Sequence, residues 1–175
     1  MKRILAFLTV CGLLTMNISA HAQDDKSKRP SPPAKVTQTI KSGATITIDY
    51  SQPGLKGRTI GSTVEPMKGK IWRMGANEAT VFETNKDVTI EGQKLPAGKY
   101  SLWGLWGDDG YTLIFNSAYS IWGTQHDENK DKDVLKVVVR PRTTKDSQER
   151  LTYTIDKNGT VTMRWGTMAI DFHVK

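Results

Sequence analysis

The sequence predicts an all-β domain, a single antiparallel β-sandwich of jelly-roll type with about eight or nine strands. Apolar residues recur with a period of two in most of the patterned segments, and Gly- and Pro-rich turns separate those segments at short spacing. No stretch carries a convincing 3.6-residue apolar period.

The first 22 residues are set apart from the fold. Lys2 and Arg3 form a short basic region, and residues 4–16 are an apolar run too short to span a bilayer. Ala20-His21-Ala22 then places small residues where a signal peptidase reads them, so residues 1–22 are expected to be a signal peptide. The expected location is periplasmic or extracellular, with cleavage near Ala22. A lipid anchor at Cys11 is the competing reading, opposed by bulky Val10 before it and by the apolar run continuing after it. Removing 22 of 175 residues leaves about 153, enough for one domain with its own core.

Residues 23–35 contain three prolines and almost no apolar side chain, and read as a disordered or extended leader. The sandwich is expected over residues 36–175. Residues 36–40 make a weak strand, and 45–50 a strong one in which Ile46, Ile48 and Tyr50 alternate with Thr45, Thr47 and Asp49. Residues 51–70 are a long connection with four glycines and two prolines, and Arg58 is its charged reacher. Strand character resumes over 71–84 and over 87–91, ending at Gly92, with a turn at Leu95-Pro96-Ala97-Gly98.

Residues 99–106 form a strand apolar on both faces, and Asp108-Asp109-Gly110 turns it into its partner, 111–116. A second long loop, 117–133, carries Trp122-Gly123 and the polar run HDENKDKD. Clean alternation marks 135–140, 151–156, 161–165 and 168–174, with a hairpin turn at Asn158-Gly159.

Composition narrows the chemistry. The one cysteine, Cys11, leaves with the signal, so the mature chain has no disulfide, no cysteine-ligated zinc and no cysteine nucleophile. Without Lys2 and Arg3, 23 basic residues face 18 acidic ones, a net +5 without the Lys/Arg blocks of a nucleic-acid binder. No later run is apolar enough to form a transmembrane helix. No metal or cofactor is expected, and the oligomeric state is not encoded in any pattern.

The densest chemistry lies in WRMGANEAT, residues 72–80. Arg58, Arg73, Asn77 and Glu78 can line a pocket for a polar ligand, and Trp72 can offer a stacking face. The alternative is a buried network in which an arginine pairs with Glu78 and Asn77 caps a bulge at Gly75-Ala76.

The chain resembles the domain-of-unknown-function 2911 family of exported bacterial proteins. The resemblance rests on Tyr50-Ser51-Gln52-Pro53, on Gly57-Arg58 through Gly61, and on the WRMGANEAT stretch. It continues through Pro96-Ala97-Gly98-Lys99-Tyr100-Ser101-Leu102, Ile114-Phe115-Asn116 and Trp122-Gly123. Gln52 stands where the family often has Arg. The resemblance implies an exported single domain and carries no established activity.

Other constellations are weaker. Asp127, Asn129, Asp131 and Asp133 have the spacing of a calcium loop, but Lys132 stands where its glycine belongs and Val138 where its bidentate Glu belongs. His126-Asp127 has the composition of half an acid–base pair, without the Gly-x-Ser-x-Gly turn of a nucleophile. His173 is expected on an exposed face, and two distant histidines do not make a zinc site. Glu78 with Asp127 or Asp49 has the composition of a glycosidase carboxylate pair. Trp106, by a hairpin tip, and Trp122, in a loop, are the indoles best placed to reach a ligand.

The candidate ligand-binding set is therefore Arg58, Trp72, Arg73, Asn77, Glu78, Trp122 and His126. The leading expectation is a non-catalytic envelope binding module for a small polar or carbohydrate ligand. A hydrolase using Glu78 with His126 or Asp127 is the second expectation, and a purely structural motif the third.

Overall fold

The fold is taken from a computed structural model that describes residues 25–175. The expected signal peptide and Cys11 lie outside the described residues. Eleven strands run in order: β1 (Pro33–Thr39), β2 (Thr45–Ser51), β3 (Ile71–Trp72), β4 (Thr80–Thr84), β5 (Val88–Ile90), β6 (Gln93–Leu95), β7 (Gly98–Trp106), β8 (Tyr111–Asn116), β9 (Asp133–Val139), β10 (Arg142–Ile155) and β11 (Thr160–His173). The only described helical pieces are 3-10 turns at Lys26–Lys28 and Asp127–Lys132.

The architecture is the expected all-β, antiparallel sandwich. One layer is a seven-stranded sheet in the order β1-β2-β4-β7-β8-β9, with β3 also on β7, and the other is the long hairpin β10-β11. Within the large sheet, chain neighbours are largely sheet neighbours, so the order is a meander. The jelly-roll expectation gives way at this level. Tight turns such as Asp108–Gly110 return β8 beside β7, and the chain passes from the large sheet to the long hairpin between β9 and β10, after the large sheet is complete.

Period-two patterning builds the core between the layers. Ile46, Ile48 and Tyr50 from β2, Phe82 from β4 and Leu113 and Phe115 from β8 face Leu151, Tyr153, Met163, Trp165 and Phe172 of the hairpin, all buried. Phe82, Phe115 and Phe172 close a ring cluster with centroids 5.2–6.3 Å apart. The two stretches expected at 161–165 and 168–174 form one strand, because Gly166, at φ 57°, bulges without ending the pairing. The small hairpin β5-β6 covers one end, where Thr89 and Lys175 exchange backbone hydrogen bonds.

The large sheet also buries a patch on its outer face. Ala79, Trp103 and Ile114 make a second, smaller cluster there, with Ile71 and Ile121 packed against it. Residues 117–132 provide Ile121 for that cover, and they position the site.

Gly104 of β7 sits where three strands converge, paired with Trp72 and with Leu113. A Cβ there would stand 2.2 Å from Tyr111 Oη and 2.4 Å from its ring, a rigid and buried neighbour. Gly104→Ala is expected to lower unfolding stability by about 1–3 kcal/mol through overpacking. Urea denaturation measures it, and a loss below about 0.5 kcal/mol, the range of a neutral surface change, would show that the β7–β8 ladder yields more easily than its contacts imply.

Candidate functional site

WRMGANEAT is a strand opened in the middle. Ile71 and Trp72 pair with Leu105 and Gly104 of β7, the chain leaves the ladder at Arg73, and Thr80 rejoins it opposite Leu102. Two residues of the excursion turn through the left-handed region, Met74 at φ 53° and Asn77 at φ 59°. Asparagine tolerates that region, whereas methionine is strained there by about 1–2 kcal/mol.

The core offsets that strain. The Met74 carbonyl accepts from Thr80 Oγ1 at 3.1 Å and from Tyr153 Oη at 2.8 Å, and its sulfur accepts from Tyr111 Oη at 3.3 Å. Burial pushes both phenols well above the usual tyrosine range, so they stay protonated donors at neutral pH. Trp72 is buried, stacks on Trp165 at 5.9 Å and donates from Nε1 to the Gly75 carbonyl. It is therefore part of the scaffold, and the expectation that it offers a ligand a stacking face is corrected. Gly75 is obligatory here, because a Cβ would stand 2.7 Å from Thr80 Oγ1.

The rest of the excursion faces outward and docks onto residues 117–126. Ala79 N–H donates to the Ile121 carbonyl, Gly123 N–H donates to the Asn77 carbonyl, and Glu78 bridges with Trp122 in backbone register. Arg73 donates from Nη1 to the Gly123 carbonyl at 3.2 Å, and a Cβ on Gly123 would fall 1.8 Å from Arg73 Cδ. Burial pulls the Arg73 value down, with the Glu65 charge opposing, so this guanidinium is packed into the join. Asn77 donates from Nδ2 to Ser31 O and Ser51 Oγ, clamping the N-terminal segment.

Glu78 emerges from this frame onto the surface. Its carboxylate accepts from Lys26 Nζ at 2.9 Å and from Arg29 Nη1 at 3.0 and 3.1 Å. Desolvation raises its value, but the bonds from Lys26 and Arg29 and the Lys26 charge outweigh it and hold the group at about 2. Residues 25–35, read from the sequence as a leader, thus carry ordered contacts, with β1 beginning at Pro33.

An open groove of about 520 Å³ runs along the outer face of the sheet beside Glu78. Asp49, Val81 and Lys99 form its floor, and Tyr119 and Trp122 stand on its wall. These two rings are 44% and 47% exposed, whereas Trp106 is half-buried against the core and the other described tryptophans, tyrosines and phenylalanines are buried. A smaller cleft bounded by Lys26, Arg29 and Tyr50 continues it on the other side of Glu78.

The other expected site residues go elsewhere. Arg58 donates to the Leu55 and Gly54 carbonyls of its own loop, which beyond Gln52 packs along β10 and β7. His126 is buried beneath the groove, 5.0 Å from the Trp103 ring, with Nε2 3.1 Å from Asp133 Oδ1. Asp133 is further bonded by Asn116 and Lys136, which carry its value below the ordinary one against the effect of burial. The Glu78–His126 acid–base pair is therefore not assembled. Asp127 begins the 3-10 turn with an exposed carboxylate 3.7 Å from His126 Nδ1, and no cluster of three or more His, Cys, Asp or Glu able to hold a metal occurs among the described residues.

Of the sequence-predicted set, Glu78 and Trp122 line the groove, while Trp72, Arg73, Asn77 and His126 hold the frame. Tyr119 carried a readable signal, an aromatic in the same Gly-containing loop as Trp122. Lys26 and Arg29 carried none, because a proline-rich polar segment gives no sign of what it lies against.

A family model described as a protein of unknown function (DUF2911) matches residues 31–174. The match spans most of the chain, so the chain belongs to that family. Comparison with curated proteins and with solved structures returned no match. No helix among the described residues is long and apolar enough to cross a membrane.

The depressed value of Glu78 fixes a pH dependence. Its folded value lies below its unfolded one, so its stabilisation is present above about pH 4.5 and is lost as pH falls toward 2. The carboxylate is 38% exposed, and screening limits the contribution to about 0.5–1 kcal/mol. Glu78→Gln is expected to show that deficit in urea melts at pH 6, a clearly smaller one near pH 2.5, and none below about pH 1.5. A deficit that stays the same as pH falls would refute the ion pairing.

Proposed function

We propose that this DUF2911 member is an exported, non-catalytic binding module that takes a small polar or saccharide ligand in the groove beside Glu78. The observation that carries the reading is the pair of exposed rings, Tyr119 and Trp122, standing over a polar floor of Asp49, Glu78 and Lys99. A sugar ring presents an apolar face to an aromatic side chain and a rim of hydroxyls to carboxylates and ammonium groups, which matches this division. Export rests on the N-terminal pattern of basic residues, apolar run and Ala20-His21-Ala22.

The character of Glu78 supports binding over acid–base catalysis. A carboxylate held at about 2 stays ionised at neutral pH, so it accepts hydrogen bonds well and is a poor proton donor. His126, the expected acid–base partner, is turned to Asp133 beneath the groove. The WRMGANEAT motif is accordingly scaffold for most of its length and presents Glu78, beside Ala79, to the groove.

Titration with a panel of envelope-type oligosaccharides, followed by tryptophan fluorescence, tests the proposal. A saturable change is expected from the exposed indole, and Trp122→Ala is expected to weaken binding by about 1–3 kcal/mol, the range of a lost stacking platform. The same affinity in Trp122→Ala, or silence across the whole panel, would overturn it.

A further inference from the structure

The groove already holds part of its own chain. Lys26, in the 3-10 turn Lys26–Lys28, borders both the main groove and its smaller continuation, with its ammonium 2.9 Å from Glu78 Oε1. The segment is fastened in two different ways. Residues 30–32 are tied by their carbonyls: Arg150 Nη1 donates to Pro30 O, Asn77 Nδ2 to Ser31 O, and Gln52 N–H to Pro32 O. Further out, the turn reaches Glu78 through the side chains of Lys26 and Arg29.

Those two cations are not equivalent. The Lys26 side chain is 56% exposed and that of Arg29 21% exposed, so Arg29 belongs to the frame while Lys26 sits at the rim. An exposed lysine–carboxylate pair is weak and can be exchanged without disturbing β1 behind its carbonyl ties. The place it occupies is a site for one compact cation on Glu78, in a groove lined also by Tyr119, Trp122 and Asp49, the last of these already paired with Lys35 at 3.2 Å.

We infer that Lys26 acts as an internal occupant of the groove, and that the ligand displacing its ammonium is an amino sugar with a free amine. On this reading, which rests on the proposed function, the ligand's ammonium takes the place of Lys26 Nζ on Glu78 while its ring lies against Trp122 and Tyr119. A neutral or N-acetylated sugar has no charge to replace Lys26, and binds with that ammonium still in place. The chain's own lysine therefore sets selectivity by competing only with cationic ligands.

The full mature chain is titrated, at low salt and pH 6, with a glucosamine tetrasaccharide, its N-acetylated counterpart and a neutral glucose tetrasaccharide. The free-amine form gains a charge-assisted bond to Glu78 but gives up the Lys26–Glu78 pair, so in the wild type it is expected to bind only about two- to threefold tighter than the other two. Lys26→Ala is expected to tighten the free-amine form by about two- to fivefold, the equivalent of the lost competing ion pair, and to leave the others unchanged. Equal binding of the three, or no response of the free-amine form to Lys26→Ala, overturns the inference; if Trp122→Ala still weakens binding, the proposed function survives alone. Absence of binding by all three, in the wild type and in Lys26→Ala, overturns both.

Discussion

The molecule depends on how one carbonyl is satisfied. Where the strand beside β7 breaks open, the Met74 backbone is forced into a conformation that a methionine side chain disfavours, and its carbonyl turns toward the interior. A buried carbonyl without a donor is expensive, on the order of 1–3 kcal/mol. Here it receives two, one from Thr80 at the point where the strand resumes and one from Tyr153 across the sandwich. The excursion is thus pinned at its base by both layers. Its remaining residues project to the other side of the sheet with their geometry already decided.

That pinning explains how a two-layer sandwich comes to have chemistry on its outer face. Such a face is ordinarily a row of alternating polar side chains over water. Here Trp103 and Ile114 point outward, and the chain covers them with Ile121 and with Ala79 from the excursion. Buried polar groups beneath that cover are bonded to one another. Trp103 Nε1 donates to Ser101 Oγ, Ser101 Oγ donates to Ala118 O, and Asn116 Nδ2 donates to Asp133, which also meets His126. This network fixes residues 117–133 well enough for two aromatic rings to remain exposed on it. The groove is the seam between this covered part of the sheet and the bare part beside it.

The strands were legible because a half-buried strand writes its two faces into alternate residues. Ile46, Ile48 and Tyr50 against Thr47 and Asp49 is sufficient to place β2, and the Asp-Gly and Asn-Gly turns place β7–β8 and β10–β11. The first part of β10, residues 142–150, was not legible, since it is polar, largely exposed and bulged, and is joined to β11 by the Arg142–Asp171 and Arg164–Asp146 ion pairs rather than by an apolar stripe. The short β6 was missed for want of an apolar pair around Glu91-Gly92. In the site, residue type drew attention to the right motif, but the roles divide by depth, which one-dimensional spacing does not carry. Trp72 and Trp122 look alike as residues; one is stacked in the core on a partner 93 positions away and the other stands in solvent. Arg58 looked like a reacher and instead closes its own turn.

The functional reading follows from the same division of labour. A rigid frame, a carboxylate kept ionised, and two exposed rings make a preorganised surface for a ligand with both a polar rim and an apolar face. If the frame is set from the core through Met74, weakening that anchor must loosen the distant outer loop. Native-state hydrogen exchange in Tyr153→Phe measures this directly. The Ala79 and Gly123 amides, which join the excursion to the loop, should exchange faster together, by about tenfold for one lost buried hydrogen bond, while Ile48 in β2 keeps its protection once the global stability change is subtracted. Unchanged exchange at Ala79 and Gly123 would mean that the outer loop holds the excursion by itself, and that the core does not set the site.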